Sequence, residues 1–359
     1  MDPNQLIPTP DVLSAPWELF NILLIGTFTI HLLAANIMLG AAFVAFWYSI
    51  KNITPKIPES PDRQISLKLP IAIAFTINFG VAPLLFLQVI YGNFIYVSSV
   101  LMAVYWLSIF ILIIFAYYGV YLFNFKYDVL GKWKSWIMGL VIVLLLIVGF
   151  FFTNSILIMI DPKSWTRYFH EPWGRIIHTA EPSLVPRYLH FVLASLATGG
   201  LIMGLMGWWK EKQGDIKTSE KYSNGLLFYG LVTMFQFFVG AWYLGTIPQG
   251  ALAQIMFEGK IIFPIFLISV IAGLASILFG LSKMPLHTTI AFVITVFFMV
   301  LFRYSVRGFY LKPFLDNNRP ETAYQFSPIV LFAIALVIGI AAVTYVIKLA
   351  LRARKEPAP

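Results

Sequence analysis

Nine long apolar runs set the pattern of this chain, each bounded by clusters of proline, glycine or charged residues. They cover 18–48, 70–91, 98–123, 136–160, 188–209, 224–246, 261–281, 287–306 and 328–351. A helix needs about 20 apolar residues to cross the hydrocarbon core of a bilayer, so each run predicts one transmembrane helix. The first run is long enough to be tilted or to begin with an interfacial turn. The fold class predicted is an all-α polytopic membrane protein with two four-helix bundles and one extra helix. The corresponding divisions are a first bundle at 1–160, an outer loop at 161–187, a second bundle at 188–306, and a loop, ninth helix and tail at 307–359.

Composition agrees with the pattern. Of the 359 residues, 59% are hydrophobic and 11% are charged, against about 25% charge in an ordinary soluble domain. The N-terminal stretch lacks the basic region and small-residue cleavage site of a removable signal peptide. The chain contains no cysteine, which excludes disulfides, thiolate-held iron–sulfur clusters and haem attached through Cys-x-x-Cys-His. Any iron centre here must use histidine, methionine or another nitrogen or oxygen ligand.

The net charge of +9 is mostly topological. One set of loops and the tail hold Lys51, Lys56, Arg63, Lys68, Lys126, Lys132, Lys134, Lys210, Lys212, Lys217, Lys221, Lys283, Lys348, Arg352, Arg354 and Lys355. The other side has no basic residue before the first helix and none between the second and third. The positive-inside rule therefore places the N-terminus outside and the C-terminus in the cytoplasm of a bacterial- or archaeal-type inner membrane. No basic stretch with interleaved aromatics suggests nucleic-acid binding. Tyr91, Tyr96, Trp133, Trp136, Trp208, Trp242 and Tyr243 lie near helix ends and read as an interfacial aromatic belt.

Two histidines break the apolar pattern in matching contexts. His31 lies in His31-Leu-Leu-Ala-Ala35-Asn-Ile-Met-Leu-Gly40 and His190 in His190-Phe-Val-Leu-Ala194-Ser-Leu-Ala-Thr-Gly199. Both fit His-x3-Ala-x4-Gly, and both helices run on to a tryptophan, Trp47 and Trp208. An imidazole within a membrane helix is costly unless it meets a partner or lines a cavity. A neutral imidazole is a natural axial ligand for haem iron, whereas small residues beside it also serve ordinary close helix packing. His170 and His178 fall in the longest outer loop and read as interfacial residues. His287 opens the eighth helix at the opposite end.

Arg175, Arg187, Arg303 and Arg307 cluster near outer helix ends, against the positive-inside trend. They suit the pairing of haem propionates, or interfacial anchoring by snorkelling. In the second helix Pro83 is expected to kink the chain, with Asn78 and Gln88 facing the bundle interior. No Asp or Glu lies within a helix core, which counts against a proton-coupled pump or a repeat-built transporter.

Residues 185–199, Val-Pro-Arg187-Tyr-Leu-His190-Phe-Val-Leu-Ala-Ser195-Leu-Ala-Thr-Gly199, resemble a helix of subunit I of the cytochrome bd-type quinol oxidases. The resemblance implies that His190 ligates a low-spin haem b and that His31 ligates a haem of the high-spin pair. It extends to nine helices, an outside N-terminus and the stretch Asn78-Phe-Gly with Gln88 and Gly92. Several family features are absent. Gln88 stands where the family has an acidic residue, and residues 261–281 lack its ligand methionine. The run Phe302-Arg-Tyr304-Ser-Val-Arg307 keeps only the final arginine of the family pattern, and the loop after Thr246 is short.

These residues lead to one expectation with open alternatives. It is a haem b-binding oxidoreductase or electron-transfer subunit of a respiratory chain, linked to quinol or to cytochrome c, with His31 and His190 as iron ligands. Arg187, Arg303 and Arg307 would hold propionates, and Met234 and Met256 are candidates for a second ligand to the His190 haem. Partners would be a second membrane subunit, an outer-face cytochrome c, or both, with quinone as a further candidate. The alternatives are a haem-free membrane anchor with a quinone pocket and a working terminal oxidase with a variant site. Because Gln88 and Tyr304 do not exchange protons near neutral pH, electron transfer without efficient quinol-driven oxygen consumption is expected.

Overall fold

Nine helices carry the architecture of a computed structural model that describes residues 3–51, 60–220, 222–258, 261–315 and 320–353. They are α1 (Trp17–Lys51), α2 (Leu69–Leu101), α3 (Ala103–Phe125), α4 (Trp133–Ile160), α5 (Leu184–Lys212), α6 (Gly225–Thr246), α7 (Ile262–Leu281), α8 (Pro285–Leu315) and α9 (Phe326–Ala353). Each is long and apolar enough to cross a membrane, and the described residues contain no strand, only one isolated bridge. The protein is thus an all-α, multi-pass membrane protein. Helices dominate because a bilayer offers no water to backbone N–H and C=O groups, which must pair within the segment. Lys56, Lys221, Arg354 and Lys355, used in the orientation argument, lie outside the described residues.

Two helices run further than the apolar pattern predicts. α2 continues through residues 92–101 and α8 through 307–315, so Arg303 and Arg307 lie inside a helix and not at its end. Tertiary burial explains both extensions. Phe94, Ile95 and Leu101 from α2 meet Leu311 and Phe314 from α8 in one buried cluster, together with Leu157 and Trp165. The backbone of α2 departs from helical angles at Tyr91 (φ −129°, ψ 29°), eight residues beyond Pro83. Tyr91 is 1% exposed and packs edge-on against Trp17; it belongs to the core and not to an interfacial belt. Asn78, expected to face inward, is exposed.

Helix pairing repeats along the chain. α1 packs on α2, and α5 packs on α6 in the same way; α3 packs on α4, and α7 on α8. The two sets join mainly where α1 lies along α5. At that seam the repeated motif meets itself. Ser195 Oγ donates to Asn36 Oδ1 at 2.8 Å across 159 positions. A Cβ on Gly40 would stand 2.7 Å from Gly199 N, and one on Gly199 would stand 2.9 Å from Gly40 O. Each contact joins residues at the same place in His-x3-Ala-x4-Gly, so the two helices cross in parallel at equivalent points. The glycines of the motif therefore serve close helix approach.

Where α1 ends, a fully buried ionic network fastens the short helix Pro61–Ser66 to the start of α4. Lys134 Nζ lies 3.5 Å from Asp62 Oδ2, with side chains 3% and 0% exposed. Tyr127 OH donates to Asp62 at 2.7 Å and accepts from Lys134 at 3.1 Å. Burial, ahead of the nearby Asp62 carboxylate, pushes the Tyr127 hydroxyl above the ordinary phenol range, which keeps it a neutral donor. Removing one member of a buried pair strands the other charge and costs about 3–5 kcal/mol. Lys134→Met is therefore expected to lower the melting temperature in detergent sharply, and Asp62→Asn/Lys134→Met to recover most of the loss. A double variant whose loss is the sum of the two single losses would show that the pair contributes nothing as a pair.

α9 differs from the rest. Among its described side chains all are exposed except Ile329, which is partly covered. The segment before it is tied to the N-terminal residues by backbone bonds, Leu13 N to Glu321 O at 2.8 Å and Ala323 N to Leu13 O at 2.9 Å.

Candidate functional site

His31 sits in the middle third of α1 with its ring edge against α2. Its Nδ1 lies 3.0 Å from the Thr76 carbonyl oxygen. A carbonyl only accepts, so Nδ1 carries the proton and Nε2 keeps its lone pair. The approach requires a glycine on the facing helix, because a Cβ on Gly80 would lie 2.8 Å from His31 Cε1. This is the arrangement in which proteins usually hold a metal-binding imidazole: one nitrogen fixed by a carbonyl, the other free.

His190 occupies the equivalent place on α5, against α6. The Gln236 amide nitrogen lies 3.2 Å from His190 Nε2 and 3.2 Å from the His190 carbonyl oxygen. The amide donates to both, so Nδ1 holds the ring proton, and it is buried without a hydrogen-bond partner. A Cβ on Gly240 would stand an ordinary 3.4 Å from His190 Cε1. The two halves thus share a second repeat. Thr76-x3-Gly80 and Gln236-x3-Gly240 lie 160 positions apart and meet histidines that are 159 apart. Sequence reading centred on the histidine helices missed this pair, although a comparison of the following helices at an offset one residue longer contains it.

Three arginines gather beside these helices. Arg187 precedes His190 by three residues; its Nη2 donates to Tyr243 OH at 3.0 Å, and its guanidinium lies over the Tyr243 ring at 5.1 Å. Arg303 lies over Phe28, three residues before His31, at 4.6 Å. Arg307 lies over Tyr91 at 4.6 Å and near Tyr304 at 5.4 Å. Arg303 is within electrostatic range of both other cations. Among the described residues none of the three forms an ion pair, and the Nε atoms of Arg187 and Arg307 are buried without a partner. Tyr243, expected in the interfacial belt, belongs to this cluster. Arg175, grouped with these arginines by sequence, is exposed in the loop.

The remaining candidates lie elsewhere. Met234 is 45% exposed, two positions and so about 200° around α6 from Gln236; it faces away from His190. Met256 is buried among Ile247, Ile255, Phe302 and Val306. His178, expected at the surface, is partly buried and lies 3.1 Å from Asp161, whereas His170 and His287 are exposed. Among the described residues no group of three or more His, Asp or Glu side chains is arranged to hold a metal ion.

A haem can be tested against these residues. At His31 the fit is good: a free Nε2, a carbonyl-fixed Nδ1 and guanidinium groups nearby, outside any described ion pair, to meet carboxylates. At His190 the fit is conditional, because Gln236 holds the nitrogen that would reach iron and has to give way. No family model matches the sequence, and neither does any curated protein.

Proposed function

We propose that the protein is a haem b-binding membrane subunit of a respiratory electron-transfer complex, related to subunit I of the cytochrome bd-type oxidases. The observation that carries this reading is the cluster of Arg187, Arg303 and Arg307, none of them in a described ion pair, with Arg187 three residues before His190 and Arg303 over Phe28, three residues before His31. Uncompensated charge inside a membrane protein is expensive and marks a ligand. Two propionates would satisfy that charge, and His31 Nε2 would bind the iron. When bound, haem b supplies a one-electron couple. The chain's own part is to fix the His31 tautomer through Thr76, to admit the ring through Gly80, and to hold the anionic edge through the arginines. The amide of Gln236 on His190 favours a second reading for that half alone, in which only the His31 site is loaded.

Reading the basic loops by the positive-inside rule, both histidines lie in the outer half of an inner membrane, with the N-terminus outside. That position suits delivery of electrons to or from an outer-face cytochrome c, and the exposed α9 suits contact with a second membrane subunit. A reporter fused at the C-terminus is expected to give a cytoplasmic signal, and one fused to the chain ended near Ser98 an external one; the reverse pattern would overturn this orientation. The haem assignment is tested by a pyridine haemochrome assay and a reduced-minus-oxidised spectrum of the purified chain. Protein produced with ample haem and carrying none would refute it.

A further inference from the structure

The loop between α4 and α5 is tied to the bundle at the tight turn where α2 gives way to α3. Val104 N donates to Gly174 O at 3.1 Å, and Ile176 N donates to Leu101 O at 3.0 Å. Glycine is needed at 174 on two counts. Its φ is +65°, in the left-handed region that disfavours a side chain, and a Cβ there would lie 3.0 Å from Ala103 Cβ. The chain beyond it is fixed as well: Ile176 is 1% exposed, and His178 N donates to Asn154 Oδ1 at 2.9 Å. On either side of the glycine stand Trp173, 76% exposed, and Arg175, also exposed.

The length of α3 sets the level of this bracket in the bilayer. Its 23 residues span about 35 Å at 1.5 Å per residue, little more than the roughly 30 Å of hydrocarbon. Both ends of so short a span lie at the interfaces, so residues bonded to its first turn sit at headgroup level. Tyr96 and Val100 near the end of α2, with Val104 and Leu107 at the start of α3, are exposed and offer an apolar surface leading into the membrane. Among the described residues Arg175 forms no ion pair. Arg167 of the same loop is engaged, with Nη1 donating to Ile177 O at 3.0 Å and Nη2 3.4 Å from Glu171. A guanidinium fork matches phosphate oxygens, and the amphipathic ring of tryptophan belongs at headgroup level.

We infer that Trp173, Gly174 and Arg175 form a binding site for a phospholipid. Arg175 holds the headgroup phosphate, Trp173 lies beside the glycerol, and an acyl chain runs along Val100, Val104 and Leu107. A free phosphate lacks the chain and a diacylglycerol lacks the charge, so the site recognises the two together. The inference is independent of the haem reading, because it uses none of the same side chains.

The test uses the full chain in maltoside detergent, which contains no phosphate, and a phosphatidylglycerol with an aryl azide on its head glycerol as a photolabel. Labelling is expected to saturate and to map to peptides containing residues 96–107 and 173–175. Unlabelled phosphatidylglycerol should compete, whereas diacylglycerol and glycerol phosphate should not. Arg175→Gln, a change at an exposed loop position, should weaken labelling about tenfold, the effect of one lost hydrogen bond to a charged group. Lys163→Gln, which removes another exposed cation of the same loop, should change nothing. Labelling at background, as expected if this face meets a soluble protein instead, would overturn the assignment. So would labelling spread over all helix ends, competition by diacylglycerol or glycerol phosphate as strong as by the phospholipid, or an unaltered Arg175→Gln variant.

Discussion

His31→Ala is expected to remove the bound haem b from the purified chain while leaving the protein inserted and folded. The replacement deletes the nitrogen that Thr76 leaves free and opens a space facing Gly80, which has no side chain to offer. A change of this kind should lower the haem content per chain by tenfold or more, read from the pyridine haemochrome. His190→Ala distinguishes one site from two. If both halves are loaded, it removes a low-spin signal and Gln236→Leu strengthens that signal by freeing Nε2. If only His31 is loaded, both variants leave the spectrum unchanged. An unaltered spectrum in the His31→Ala and His190→Ala double variant would end the haem assignment altogether.

The second large effect concerns the seam. Gly40→Ala is expected to destabilise the protein by about 1–3 kcal/mol or more, the cost of overpacking a close contact. The added carbon would lie 2.6 Å from Ser195 O and 2.7 Å from Gly199 N, backbone atoms that move only if the helices part. Gly199→Ala meets the same obstacle from the other side. Asn36→Leu removes the hydrogen bond to Ser195 and should cost less, about 0.6 kcal/mol by the average for such bonds in membranes. Gly26 lies on the same helix, and a methyl group added there would have no neighbour within 4 Å, so Gly26→Ala should be neutral or stabilising through helix propensity. Melting curves in detergent rank the four variants. Gly40→Ala melting with Gly26→Ala would mean that packing does not hold the seam.

All nine spans were legible in the sequence because length and apolarity alone identify a helix that must cross lipid. Their ends were less so. The last turns of α2 and α8 are helical because Phe94 and Leu311 enter one buried cluster, whose members lie more than two hundred positions apart and leave no local mark. Tyr91 and Tyr243 looked like interfacial aromatics for the same reason: their ends of the helices lie in the core or under an arginine. The two histidines stood out because imidazole is rare in such runs. What separates them, a backbone oxygen at one and an amide at the other, depends on which face of the next helix each meets. Asn78 shows the limit of a general rule, since polar residues in membrane helices are expected inward and this one is exposed on α2.

The parallel crossing of α1 and α5 also sets an order of events during synthesis. Ser195 emerges 159 residues after the Asn36 it will bond. At about 5–20 residues per second, α1 waits roughly 8–30 s in the bilayer before its partner exists. Through that interval Asn36 and the bare backbone at Gly40 have no α5 beside them, and the first hairpin has to survive as a separate unit. An assembly chaperone or the insertion machinery that shelters polar helices would act on this protein in that window, between completion of α1 and arrival of α5.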